Sequence, residues 1–395
     1  MLDLLRTHGA SNETVRDYNR RVVLNLIRTQ KLISRADLAR LCGLQRSTIS
    51  LIVEQLMEEN WVLEGPTGRL PRGRRPTFLR LNEDRVIIGV DVRPILTTVA
   101  ISGVNGAFHS HESLPTPPDA ETGVRQLIDR IQRAIRCCAG KKIEGIGISL
   151  PGRVSQSADR LVFAPNLRWP AVDLRTPISK ATGLPVQLDN AANACVLAAV
   201  WFDRMESCAN LVVVTVSEGI GTGILMGGRL LRGMNGMAGE FGHVPLDING
   251  PPCTCGSNGC WEVFGSNRAA LRYYGESGPA REDLTFTELL SLADAGDTRA
   301  AEALERMARY LGKGMRMLVA GLAPERIVIV GDLTRSWDRF GPMLEREVRQ
   351  QSLSDGCVPR VIGALEDDTA RLRGTIALVL QRDFGFNPEV PPTAQ

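Results

Sequence analysis

The pattern of apolar residues changes at Asn82, and a chain that changes in this way divides into domains. From about Glu13 to Asn60 the spacing is helical, with Val22, Val23, Leu26 and Ile27 recurring on a first segment. Ser34 stands three residues before Asp37, a capping-box-like start for a second helix whose apolar face is Leu38 and Leu41. Cys42-Gly43-Leu44 interrupts it. A third helix runs from about Arg46 with Ile49, Ile52, Val53 and Leu56 on one side. Residues 61–64 and 77–81 then read as short strands joined by a loop rich in Gly, Pro and Arg. After Asn82 strands and helices share the chain. Strands are expected at 86–92, 97–102, 143–150, 186–188, 211–216, 223–226 and 326–330, and helices at 120–139, 191–203, 298–320, 337–350 and 370–382. The expected class is α/β: a head at residues 1–82, two lobes at 83–190 and 191–386, and a Pro-rich tail at 387–395.

Helix, short turn with Gly43, helix and a two-stranded ribbon is the pattern of a winged helix-turn-helix. Its second helix would enter the major groove and present Gln45, Arg46, Ser47, Thr48 and Ser50 to base edges and phosphates, with Ser34 and Arg35 at the start of the preceding helix. Pro71-Arg-Gly-Arg-Arg-Pro76 places Arg72, Arg74 and Arg75 around Gly73 on a proline-bounded arm, chemistry that suits a narrow, electronegative minor groove. Charge agrees. Residues 1–85 carry 15 Lys and Arg against 10 Asp and Glu, whereas the remainder carries 32 against 34. The positive excess therefore lies in the head, and double-stranded DNA is the expected partner.

Nine cysteines are scattered, except that Cys253, Cys255 and Cys260 fall within eight residues. With His243 ten residues upstream they form a Cys₃His set, the donor chemistry of a closed structural Zn²⁺ site with no open position for water. Gly256 and Gly259 permit the tight turns that such a loop needs. Zinc would pin this loop and orient Glu240 and Glu262 beside it. No apolar run approaches the ~18–20 residues of a membrane span, and the first residues lack the order of a signal peptide. A cytoplasmic location away from membranes is expected.

Gly239-Glu240-Phe-Gly-His243, followed by Cys-x-Cys-Gly-x-x-Gly-Cys-x-Glu, strongly resembles the ROK family of repressors and sugar kinases. The stretches Gly145–Gly152, Ala164-Pro165-Asn166-Leu167, Gly219-Ile-Gly221-Thr-Gly223 and Gly228–Glu240 extend the resemblance over nearly the whole chain, and the winged head is the layout of the repressor branch. The resemblance implies a two-lobed, actin-like ATPase fold, a sugar in the cleft and a homodimer or homotetramer. It also implies zinc on His243, Cys253, Cys255 and Cys260, and sugar contacts from Asn166, Asn190, Glu240, His243 and Glu262. One ring nitrogen of His243 would then hold zinc while the other meets a sugar hydroxyl.

Departures from the kinase pattern decide the functional expectation. The family's kinases open with Asp-x-Gly-Gly-Thr, whereas this chain has Asp91-Val92-Arg93-Pro94-Ile95, so a bare backbone cradle for phosphates is missing. The catalytic Asn-Asp-Ala-Asn becomes Asn190-Ala191-Ala192-Asn193, which puts Ala191 where the general base belongs. Asp189 lies two places earlier and is expected to point elsewhere. The expectation is a transcriptional regulator, a repressor controlled by a sugar in a catalytically dead cleft, with no enzyme activity. The alternatives are a sugar kinase with a DNA-binding head and a regulator controlled by a protein partner.

Overall fold

A computed structural model describes all residues except 1–11, 31, 69–75, 156–159, 165, 203–207, 280, 282, 351–357, 365–368 and 385–395. The head contains α1 (Asn12–Gln30), β1 (Ile33–Ser34), α2 (Arg35–Cys42), α3 (Arg46–Glu58), β2 (Val62–Thr67) and β3 (Thr77–Leu81). Ser34 and Asp37 form the expected capping box at the start of α2, and Gly43 ends that helix in the left-handed region at φ +67°. Val23, Leu24 and Ile27 of α1 meet Leu38, Ile49, Val53 and Leu56 in the core. The ribbon gains a third strand, because β1 pairs with β3.

The first lobe follows with β4 (Arg85–Val92), β5 (Leu96–Gly103), β6 (Phe108–Pro115), α4 (Ala120–Cys137), β7 (Lys142–Leu150), β8 (Arg153–Ser155), β9 (Arg160–Phe163), α5 (Arg175–Thr182) and β10 (Val186–Asn190). The second contains α6 (Ala191–Phe202), β11 (Leu211–Val216), β12 (Ile220–Met226), β13 (Arg229–Leu230), α7 (Trp261–Gly265), α8 (Asn267–Glu276), α9 (Phe286–Asp294), α10 (Thr298–Leu322), β14 (Arg326–Val330), α11 (Trp337–Arg349), β15 (Arg360–Gly363) and α12 (Ala370–Phe384). The two five-stranded sheets share one plan. Their orders are β6-β5-β4-β7-β10 and β13-β12-β11-β14-β15, each a three-stranded antiparallel meander extended by two parallel strands. The parallel strands are buried apolar runs, as sheets covered on both faces require.

One expectation needs correction. The division at residue 190 assigns α12 to the second lobe, yet α12 packs on β4 and β7 of the first. Gly147 permits this approach, since a Cβ there would stand 1.9 Å from the carbonyl oxygen of Thr375. The strand expected at 143–150 stands as β7, and Pro151 and Gly152 just beyond it line the cleft. Helices α6 and α12 pack closely on each other, and Ile376, Ala377, Leu380 and Phe384 share one apolar core with the head.

Candidate functional site

Asn166, Asn190, Glu240, His243 and Glu262 all line one cleft between the sheets, with about 840 Å³ of space open to solvent. Glu262 enters from α7, and its Oε2 accepts the Ile220 amide at 3.1 Å. Gly219 makes room for that carboxylate, since a Cβ there would lie 2.1 Å from Oε2. Glu240 follows Gly239, whose φ of +94° and contact with the Thr222 carbonyl exclude a side chain. Burial pushes both carboxyls above their ordinary range, against the opposing pull of His243. Asn166 accepts from Arg268 at 2.9 Å. The Asn190 amide is engaged at both ends, donating to the Gly152 carbonyl and accepting from the Ala192 amide, so it shapes the cleft wall as well as facing it.

His243, Cys253, Cys255 and Cys260 converge, with their donor atoms all within 4.8 Å of one another. Cys253 Sγ lies 3.6 Å from His243 Nδ1, and Cys255 Sγ lies 3.7 Å from Cys260 Sγ. A tetrahedron with Zn–S bonds of about 2.3 Å has S–S edges of about 3.8 Å, so the donor set fits a tetrahedral metal ion. Gly256 and Gly259 take φ of +95° and +61° in the turns that close the loop. Burial and the neighbouring thiols push the Cys260 thiol up to about 12, so a cation is needed to hold the cluster as thiolates. His243 turns Nδ1 to the cysteines and Nε2 toward Glu240, 3.8 Å away, and so bridges cluster and cleft.

Two buried aspartates stand near the cleft. Asp189 is 2% exposed and fully engaged: Oδ2 accepts from Arg232 Nε and Nη2 at 3.0 and 2.8 Å, and Oδ1 accepts from Asn193 at 2.9 Å. Ala191 lines the cleft beside it. Asp91 is 1% exposed, bound by Arg93 at 2.7 Å and by Ser149 at 2.5 Å.

In the head, Gln45, Arg46 and Ser47 are exposed at the start of α3, with Thr48 and Ser50 half-buried. Ser34 is a correction: it is 5% exposed and its hydroxyl is committed to Asp37, so it builds the helix cap and offers nothing to a ligand. Arg35 pairs with Glu64 at 3.0 Å. Arg72, Gly73, Arg74 and Arg75 lie outside the described residues, between Gly68 and Pro76, which are joined by a 2.8 Å backbone bond. Leu51 escaped the sequence reading. It is 66% exposed and follows Ser47 by one helical turn, off the apolar stripe of Ile49, Ile52, Val53 and Leu56 that the spacing of α3 already marked.

The head is bolted to the body rather than tethered. Arg85, at the start of β4, donates to the carbonyls of Glu59 and Asn60 at the end of α3, pairs with buried Glu144 and lies 3.8 Å over the Trp61 ring. Arg28 of α1 donates to the Trp201 carbonyl, and Asn25 donates to that of Phe384 at 2.9 Å. Phe384 stands edge-on to both Trp61 and Trp201.

Two lobes of matching strand order around a polar cleft define an actin-like, sugar-kinase-like α/β protein, here with a helical head. Residues 87–382 match the ROK family, and the chain belongs to that family. It is 30% identical over 391 residues to a xylose repressor of Caldicellulosiruptor bescii, covering 94% of this chain and 98% of the relative. The crystal structure of a ROK family transcriptional regulator, a homologue of the Escherichia coli MLC protein, superimposes with a TM-score of 0.79 at 24% identity over 94% of this chain and 98% of that one. A ROK family glucokinase from Streptomyces griseus, in complex with glucose and AMPPNP, matches with a TM-score of 0.67 at 27% identity, over 75% of this chain and 99% of the kinase. The quarter of the chain beyond the kinase match accommodates the head.

Proposed function

We propose that this protein is a sugar-responsive, DNA-binding transcriptional repressor whose kinase-like cleft has become a sensor. The observation that carries the reading is the span of α6 and α12. Ala191 and Ala192 of α6 and Arg371 of α12 line the cleft, while Trp201 and Phe384 at the far ends of the same helices grip the head. Two rods of about 18 and 22 Å thus connect the ligand site to the reader. A sugar acts through them to the extent that it binds the two arrangements of the head unequally. The head is a winged helix-turn-helix in which Gln45, Arg46, Ser47, Thr48, Ser50 and Leu51 read the major groove and the Arg72–Arg75 arm enters the minor groove. A homodimer or homotetramer in the cytoplasm would present paired heads to half-sites about one helical turn, or a multiple, apart.

In the cleft, Glu240, Glu262 and Asn166 bind vicinal hydroxyls, with His243 Nε2 beside them. Zn²⁺ held by His243, Cys253, Cys255 and Cys260 would supply a rigid anchor for the loop carrying Glu240. This reading assigns the cleft no phosphoryl transfer: Ala191 offers no base, Asp189 is committed to Arg232, and the Asp91–Arg93 pair with Pro94 takes the place of a glycine cradle. An ATP-dependent phosphorylation assay across hexoses and pentoses, run beside a thermal-shift screen of the same sugars, tests this. The reading expects at least one sugar to raise the melting temperature and none to be phosphorylated. Turnover that disappears in Glu262→Gln would contradict it and make the protein a kinase with a DNA-binding head.

A further inference from the structure

Among the described residues two arginines are buried, Arg85 at 1% and Arg371 at 7% exposed. Arg85 has a buried carboxylate partner in Glu144. Of the less withdrawn arginines around the cleft, Arg93 is paired with Asp91 and Arg232 with Asp189, while Arg268 donates to the Asn166 amide at 2.9 Å. Arg371 differs. Its polar partner among the described residues is the neutral Ser217 hydroxyl, at a long 3.4 Å. A buried guanidinium without a counter-charge is costly, and a protein retains one where something else completes it.

We propose that Arg371 forms an anion subsite within the cleft and that the effector is an anionic sugar, one bearing a phosphate ester or a carboxylate. The inference rests on the reading of the cleft as the effector site and narrows the chemical class of what binds there. Arg371 is the one arginine or lysine lining the cleft among the described residues, on the wall built by α12 and next to the Ser217 hydroxyl. It sits in the first turn of a 15-residue helix with no acidic residue in that turn, so the helix's positive end adds to its field. Glu240 and Glu262 suit hydroxyls and repel an anion, whereas a guanidinium fork matches a phosphate or carboxylate with two parallel bonds. Division of labour follows: the carboxylates take the sugar ring, and Arg371 takes its charged substituent. The same residue starts the helix whose other end holds the head, so an anion drawn to it acts directly on the connecting rod.

Calorimetry on the full-length, zinc-loaded protein tests this with matched ligands: glucose, mannose and N-acetylglucosamine, each beside its 6-phosphate, together with glucuronate and inorganic phosphate. The expected result is that one charged sugar binds at least about tenfold tighter than its neutral partner, as a charge-assisted contact warrants. The phosphate and glucuronate arms decide which anion it is. Arg371→Gln should collapse that ratio to near one, and Arg371→Lys should restore part of it, with thermal midpoint and zinc content reporting that both variants fold. Tighter binding of the neutral sugars, or an unchanged ratio in Arg371→Gln, would overturn the inference while leaving the cleft reading intact. The guanidinium would then be satisfied within the protein, with Asp367 and Asp368, its neighbours in the chain, the first to examine. Inorganic phosphate binding as tightly as any sugar phosphate would overturn the sugar half of the claim. Failure of every sugar, neutral or charged, would remove the cleft reading and the inference together.

Discussion

Leu51 sets an apolar side chain in the middle of the exposed face of α3, where Ser47 precedes it by one turn. In a major groove the apolar feature on offer is the thymine methyl group. Leu51→Ala is therefore expected to weaken operator binding by about 1 kcal/mol, on the scale of a lost apolar contact. Replacing the contacted thymine with uracil should cost the parent protein the same and the variant nothing, as measured by fluorescence anisotropy. Arg85 makes a second residue-level prediction. Arg85→Ala leaves buried Glu144 with the longer 3.8 Å contact to Arg382 and frees the carbonyls at the end of α3, so stability by urea denaturation should fall by about 2–3 kcal/mol. What could be seen in the sequence at this scale depended on distance along the chain. The four metal-ligand candidates lie within 18 residues and announce themselves by spacing. The commitment of Asp189 to Arg232, 43 residues away, has no local signal, nor has the meeting of Arg371 with Ser217.

At the scale of elements, the helices with strong apolar periodicity stand where spacing put them, α10 and α11 among them. Strand β6 was missed because it is an edge strand with Leu114 as its one buried side chain, which leaves no alternation to read. Helices α8 and α9 carried a legible apolar face, Ala269, Ala270, Tyr273 and Tyr274 on the first and Phe286, Leu289, Leu290 and Ala293 on the second, and the loop-rich context around the cysteines masked it. The cap of α2 is a local device with a local consequence: Ser34→Ala should cost the head about 1 kcal/mol. Asp37, held below the ordinary carboxylate range first by its bond to Ser34, adds a pH dependence of known sign. A depressed carboxyl stabilises the folded state above its unfolded pKa and loses that contribution as pH falls below about 4. Comparing acid unfolding of the parent with that of Ser34→Ala checks it; the variant should lose less on acidification. Between α6 and α12, Gly374 lets the helices touch, since a Cβ there would lie 2.3 Å from the Ala194 carbonyl. Gly374→Ala should destabilise the protein by about 1–3 kcal/mol through overpacking, read by denaturant melts, and should blunt the response of DNA binding to sugar.

The whole molecule is a duplicated sheet plan with a helical head fused to it through a shared core, and the proposed sensing rests on that fusion. Sequence reading placed the head, the two lobes and the cleft in order. It did not show that the last helix crosses back to the first sheet, because that return is decided by glycines such as Gly147, whose partner backbone is more than 200 residues away in the chain. Nor could spacing alone show that α6 and α12 begin at the cleft and end at the head. The proposed zinc makes a prediction at this scale: a chelator should free the loop that carries Glu240 and Cys253, lower the melting temperature and weaken sugar binding while leaving α3 intact. The most direct test of the central claim is the affinity of the full-length protein for its operator DNA, measured with and without a saturating sugar that thermal shift identifies. The account predicts that the sugar weakens DNA binding by at least about fivefold and that Glu262→Gln abolishes the change. An operator affinity that stays the same with every sugar that binds would contradict it.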